Sequence, residues 1–336
     1  MNRIATIILV FLLLYTGADA QNVKRTRKGL IIVNTDSVVR AMEPYGGCAD
    51  DGVAYAKAIN DFKRQYSKAR FYCMIIPNAV ALYCPDSVSH WTKDEQSAIN
   101  GFYAHLTDGV KDIQLIDTLK AHATENIYLR TDHHWAPLGA YYAARTFAQV
   151  AGVPFKALSE YEKRVVRDFV GTMYKFTQEE AIRQHPEDFI YYVPKNMSYV
   201  TEQVKYQHRT IRRKRKRYKV LTAKPKEQVE FFREYDDGSA AAYSTFMGGD
   251  LNTTSVKTST KNGRRLLILK DSYGNALPPF LFGSFEEIHV VDCRYFLGNI
   301  IQYAKAHHIS DVLFANNLIH ASSPVISQNY KRYISK

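Results

Sequence analysis

Cysteine is scarce in this chain, with four residues, Cys48, Cys73, Cys84 and Cys293, among 336. No Cys-x-x-Cys pair occurs, and the spacing does not match a zinc site. Cys73 and Cys293 lie in apolar, strand-like runs and read as small buried residues. Cys48 and Cys84 fall in loops, where an oxidising compartment would allow them to pair. Long apolar runs are also missing. The nearest, Ile4 to Tyr15, is shorter than the roughly 20 residues that cross a bilayer. It follows the basic Asn2-Arg3 and precedes Ala18-Asp19-Ala20, a small-x-small cleavage pattern. Residues 1–20 are therefore expected to be a signal peptide removed near Ala20, with an uncleaved anchor as the alternative. The expected location is periplasmic or secreted. No cysteine follows the cleavage position, so a lipid anchor is not expected.

The Gly-x-Ser-x-Gly elbow of α/β-hydrolases is absent too. Acidic residues do not balance the basic ones: the formal net charge is +12. Loss of residues 1–20 removes Arg3 and Asp19, one charge of each sign, and leaves that excess unchanged. It favours anionic partners and says nothing of fold. An exported chain meets no nucleic acid, so acidic polysaccharide or anionic membrane is the expected partner. The excess is densest from Lys205 to Lys219, where nine residues are Lys or Arg. An exposed hairpin kept soluble by its charge is the plain explanation, and capture of an anionic polymer or lipid surface the sharper one.

What remains is the patterning of one α/β domain over residues 21–336. Gly29–Val33 reads as a strand, Asp51–Tyr66 as a helix with Tyr55, Ala58, Ile59, Phe62 and Tyr66 on one face, and Phe71–Ile76 as a doubly buried strand. In that order they predict a parallel unit. Thr92-Lys93-Asp94-Glu95 has the form of a capping box. A strand over Ile127–Leu129 leads into Thr131-Asp132-His133-His134-Trp135, and Pro137 opens a helix that stops at Gly152. Residues from about 155 to 262 are polar and tyrosine-rich and are expected to form an irregular, basic, β-rich insertion. From Arg264 the α/β rhythm returns, with strands at Leu266–Leu269, Ile288–Val291 and Val312–Phe314 and a helix over Asn299–His307.

Two stretches carry chemistry. A carboxylate two residues from a histidine can fix its tautomer and stabilise the imidazolium that forms when it acts as a general base. In an extended segment Asp132 and His134 would share one side. His133 would then point away as a substrate-binding or packed residue, and adjacent histidines would not share a metal ion. The second stretch is Lys270-Asp271-Ser272-Tyr273-Gly274-Asn275, at a strand-to-helix turn. Backbone N–H groups can stabilise an oxyanion there, although a serine at such a place is commonly only a cap.

Together, Thr131 to Ala140 and Lys270 to Tyr273 resemble the signatures of the DHHW family of exported bacterial proteins. They are similar also to the alginate O-acetyltransferases of the AlgX and AlgJ type. The turn Pro77-Asn78-Ala79 belongs to the same resemblance, which spans roughly residues 29 to 325. It implies a three-layer α/β fold like that of the SGNH hydrolases, with a central, mostly parallel sheet and a circularly permuted motif order, since Asp132 and His134 precede Ser272. By that resemblance Ser272 is the nucleophile, His134 the base and Asp132 its orienting carboxylate. His133, Gly249, Asn275, Asn78 and Arg294 are candidates for oxyanion or substrate binding. Lys270 stands where the SGNH block has glycine. The implied activity is acyl transfer to or from a carbohydrate or a small acyl ester, without cofactor or metal. The alternative is a non-catalytic polysaccharide-binding or envelope-assembly protein on the same fold.

Overall fold

Residues 22–335, apart from 36–37, 48 and 214–215, are described in a computed structural model. The expectations for residues 1–20 lie outside them. The described residues form fourteen strands: β1 (Asn22–Arg25), β2 (Ile31–Asn34), β3 (Val39–Met42), β4 (Arg70–Ile76), β5 (Val110–Asp112), β6 (Tyr161–Phe169), β7 (Glu187–Pro194), β8 (Tyr199–Arg213), β9 (Lys216–Ala223), β10 (Glu227–Val229), β11 (Asn252–Thr258), β12 (Arg265–Lys270), β13 (Glu287–Asp292) and β14 (Asp311–Asn317).

The main sheet runs β10-β8-β11-β13-β12-β14-β4-β5, with β9 paired to the outer half of β8. Strands β13, β12, β14, β4 and β5 are parallel, whereas β11, β8 and β10 add to them in antiparallel fashion. The sheet is therefore mixed rather than mostly parallel. Residues 155–262 are more regular than expected, because β8, β10 and β11 come from that segment and extend the central sheet. Of its other strands, β9 pairs with the outer half of β8, and β6 and β7 form a separate antiparallel pair.

Alternation along β4 shows why the sheet is covered on both faces. Tyr72, Met74 and Ile76 enter one apolar cluster with Ala140, Ala143, Ala144 and Phe147 of the helix Pro137–Ala151. Phe71, Cys73 and Ile75 enter the other, with Ile59 and Phe62 of Val53–Gln65, Ile99 and Phe102 of Glu95–Ala104, and Ile326 and Tyr330 of Pro324–Ser335. A strand with two buried faces must be apolar along its buried length, as β4 is from Phe71 to Ile76. The alanine stripe of the helix Pro137–Ala151 lets it approach closely: a Cβ on Gly139 would lie 2.4 Å from the Ile127 carbonyl oxygen. Gly152 ends this helix in the left-handed region, at φ 63°.

Three local expectations are corrected. The run Gly29–Val33 supplies β2 of a small antiparallel β1-β2-β3 sheet, not the first strand of a parallel unit. Ile127–Leu129 is no strand of the main sheet and makes only a single bridge, Tyr128 to Trp135. The cap before Glu95 is Asp94, which accepts the Gln96 and Ser97 N–H groups, while Glu95 turns inward. Cys84 carries a free thiol, and the expected pairing with Cys48 falls on a residue outside the described ones. Cys73 and Cys293 are buried and free. Among the described residues no helix is long and apolar enough to cross a membrane.

Candidate active site

Strand β12 ends at Lys270, and its continuation forms a tight helical turn, Ser272–Ala276. The buried Asp271 caps that turn: one carboxylate oxygen accepts the Tyr273 N–H at 2.9 Å, and the other accepts Asn317 N–H at 2.7 Å and the His320 ring at 2.8 Å. Burial alone would raise its pKa, but His320 and these donors hold it below the usual carboxylate range. Ser272 follows directly, 8% exposed.

The segment 130–134 is a succession of bends rather than an extended strand. It is pinned from three sides. Glu187, at the start of β7, accepts the backbone N–H groups of Arg130 and Thr131 and the Thr131 hydroxyl at 2.6–2.9 Å. Ala41 of β3 donates to the Arg130 carbonyl. Gly171 and Met173 donate to the side chain and carbonyl of Thr131. So held, Asp132 Oδ1 accepts both the His134 backbone N–H at 3.0 Å and the ring Nδ1 at 2.6 Å. Its Oδ2 accepts the Thr172 N–H and hydroxyl, each at 2.8 Å. Burial opposes ionisation of Asp132, yet the two histidine rings and the Thr172 donors keep it ionised far below the normal carboxylate range.

The other ring nitrogen of His134, Nε2, lies 2.8 Å from Ser272 Oγ. Tyr243 stacks flat on the His134 ring, centroids 3.8 Å apart and planes 9° off parallel. Its hydroxyl donates to the carbonyls of Ser272 and Tyr273. The Trp135 indole N–H donates to the Tyr273 carbonyl as well. One aromatic layer thus ties the base to the backbone of the serine turn.

A carboxylate, an imidazole and an alcohol in hydrogen-bond sequence, brought from two distant segments, coincide with a match to the family model described as DHHW protein over residues 16–291. The chain belongs to the DHHW family. A DHHW family protein from Eubacterium siraeum DSM 15702 is 36% identical, with TM-score 0.80 over 93% of this chain and 97% of that one. PatB1 of Bacillus cereus, solved with a sulfonyl adduct, shares the fold at 21% identity and TM-score 0.65, over 91% and 98% of the two chains. The O-acetyltransferase domain of Pseudomonas putida AlgJ aligns at 13% identity and TM-score 0.47, over 93% and 99%. No curated protein matches the sequence.

Within this DHHW protein the accessory candidates hold different places from those expected. His133 does not point away: its ring centroid is 3.8 Å from that of His134. Its Nδ1 meets the Thr172 hydroxyl at 2.6 Å. Burial, with the neighbouring His134 ring, lowers its pKa to about 4. The ligand atoms of Asp132, His133 and His134 consequently lie within 4.8 Å of one another, contrary to the expected divergence of the two rings. Asp132, Nδ1 of His133 and both nitrogens of His134 are already engaged by hydrogen bonds, an arrangement suited to moving a proton. Asn78 is part of the scaffold. Its backbone and side-chain amides donate to Glu95 and its carbonyl oxygen accepts from Asn317. Asn275 donates to Asp250 at 2.8 Å, and the Gly249 N–H is taken by the Phe246 carbonyl. Arg294 is no open anion site either: it forms a two-pronged pair with Asp292 and reaches Asp250 at 2.9 Å.

Lys270 explains what replaces the expected glycine. Burial opposes its charge, but Asp292 at 3.0 Å and Asp250 at 3.3 Å hold its pKa above the ordinary lysine value. Its stem runs beneath the serine turn, where a Cβ on Gly274 would meet Lys270 Cβ at 2.5 Å. Lys270, Arg294, Asp250 and Asp292 form a balanced ionic floor beside Ser272. A separate group, Glu287, His289 and His307, begins at the other end of β13, with Arg265 3.7 Å from Glu287. It has no part in the serine site.

Thr172, Gly171, Glu187, Tyr243 and His320 were not identifiable from local motifs. They act through tertiary contacts. The one signal for Gly171-Thr172 in the sequence is a glycine followed by a hydroxyl residue, which is too common to single out.

Proposed function

We propose that this chain is an exported, serine-dependent acyl-transfer enzyme, an O-acetyltransferase or O-acetylesterase acting on a carbohydrate of the cell envelope. The observation that carries this proposal is the unbroken path from Asp132 through His134 to Ser272, at 2.6 and 2.8 Å, within the reach that general-base catalysis requires. Ser272 Oγ attacks the acyl carbonyl carbon as its proton passes to His134 Nε2, and Asp132 steadies the imidazolium. Asp271 already engages the amides of Tyr273, through its side chain, and Gly274, through its carbonyl, so the Ser272 N–H is the donor left for the developing oxyanion. His134 returns the proton to the departing alkoxide, giving acyl-Ser272 and a free alcohol. A sugar hydroxyl or water then loses its proton to His134 as its oxygen attacks the ester, and Ser272 regains a proton.

The order of the catalytic segments supports a circularly permuted SGNH-type arrangement. Export rests on the pattern of residues 1–20. Hydrolysis of a chromogenic acetyl ester tests the activity. Wild type should turn over the ester, and Ser272→Ala and His134→Ala should each lose at least a hundredfold. Equal rates in all three proteins would leave a glycan-binding or envelope-assembly role on the same fold.

A further inference from the structure

The basic run does not lie on the body of the protein. Beyond Lys205, its described residues lie on the outer half of β8 and on β9, a two-stranded ribbon paired from Tyr206–Ala223 to Arg213–Lys216. Register fixes where this ribbon stands. Lys270 of β12 is level with Asp292 of β13, Val291 with Thr253 of β11, and Asn252 with Lys205 of β8. Strand β8 therefore runs parallel to β12 and leaves the sheet at the same end as the chain that enters Ser272. Only β11 and β13 separate the two strands, a lateral offset of about 14 Å at the spacing of neighbouring strands. The ribbon rises beside the catalytic mouth.

Its charge arrangement is unfavourable for folding. No Asp or Glu occurs between Glu202 and Glu227. Arg212 pairs directly with Arg217, and Arg213 with Lys216. Like charges placed opposite one another destabilise a ribbon, and among the described residues none of these four makes an ion pair. All four are exposed, and they alternate between the two faces. The exposed Ile211 and Tyr218, 42% and 47% accessible, are also paired across the strands, on the face of Arg213 and Lys216. Folding gains nothing from this arrangement, whereas a bound polyanion would neutralise it.

We propose that this ribbon is the docking arm for an acidic polysaccharide, holding the carboxylate-bearing polymer beside Ser272. The proposal rests on the acyl-transfer function for its purpose, and on the ribbon alone for binding. A flat bilayer would call for one apolar face and one charged face. A ribbon with cations on both faces suits a chain that wraps around it, and Tyr218 offers a ring surface for a sugar between the cations.

The test is binding of the purified protein to polygalacturonate, against a fully methyl-esterified polygalacturonate and against phosphatidylcholine–phosphatidylglycerol vesicles. Wild type should bind the carboxylated polymer, with affinity that falls as salt rises toward the roughly 10 Å screening length of 0.1 M. Combined Arg212→Gln, Arg213→Gln, Lys216→Gln and Arg217→Gln should weaken binding at least tenfold and leave turnover of a small acetyl ester and the melting temperature unchanged or improved. Ser272→Ala should bind as wild type does, which separates a failure of the docking arm from a failure of the catalytic assignment. Equal binding by the quadruple variant, equal binding of the esterified polymer, or binding to the vesicles alone would overturn the proposal.

Discussion

Gly171 stands so close to Asp132 that a Cβ on it would lie 2.4 Å from Asp132 Cβ and 2.5 Å from Oδ2. Its backbone, at φ −88° and ψ −160°, is one that any residue can adopt. The requirement for glycine is therefore steric and belongs to the carboxylate that orients His134. Gly171→Ala is expected to displace Asp132, lower acetyl ester turnover at least tenfold and destabilise the fold by roughly 1–3 kcal/mol, the range for overpacking a filled site. Kinetics with thermal melting checks this. Wild-type turnover in the variant would mean that Asp132 does not position the base.

Replacing Asp132 itself isolates the tautomer. In Asp132→Asn the amide oxygen would stay with the Thr172 donors and the NH₂ would face His134 Nδ1, turning the ring's proton toward Ser272. Turnover should fall by a factor on the order of 10³–10⁴, as in serine enzymes with this defect, while the fold survives. Circular dichroism and steady-state rates on the same sample are the measurement.

Tyr243 separates two effects. Tyr243→Phe keeps the ring on His134 and loses only the hydroxyl that donates to the Ser272 and Tyr273 carbonyls, a change of about 1 kcal/mol. Tyr243→Ala removes the layer that holds the imidazole flat, and displacing a base by about 1 Å costs on the order of 10²-fold in rate. The expected order of turnover is wild type, Phe, then Ala, with the larger gap between Phe and Ala. Identical values for Phe and Ala would assign the effect to the hydroxyl alone.

Asp132 and His134 stood out in the sequence by their carboxylate–imidazole spacing, whereas Ser272 stood out only through the family resemblance; the structure places the three side chains in hydrogen-bond sequence. The strand Phe71–Ile76 and the helix from Pro137 to Gly152 were legible from their local patterns. Gly29–Val33 was not, since a short apolar run reads alike in a parallel sheet and in a small antiparallel one. The side on which His133 emerges depended on an extended backbone, and the bends imposed by Glu187 and Thr172 reversed it. Those two residues lie 57 and 40 positions from their partners Arg130 and Asp132, so no spacing rule reaches them. The role of Arg294 was equally hidden, because Asp250 and Asp292 meet it only in the folded chain.

His133 gives a pH dependence with a definite sign. Burial and the neighbouring His134 ring lower its pKa from 6.5 to about 4, so between these values the unfolded chain binds a proton that the folded chain does not. Stability should therefore fall as pH drops from 6.5 to about 4, and His133→Asn should remove that part of the slope. Denaturant unfolding of both proteins across this window measures it. Parallel curves would place His133 in contact with water.

The central claim is that Ser272 is a nucleophile activated by His134, and covalent labelling tests it most directly. Wild-type protein treated with phenylmethylsulfonyl fluoride and read by intact mass and peptide mapping should gain one sulfonyl group, on the peptide that carries Ser272. His134→Ala should label far more slowly and Ser272→Ala not at all. Modification of another residue, or equal labelling of Ser272→Ala and wild type, would contradict the account.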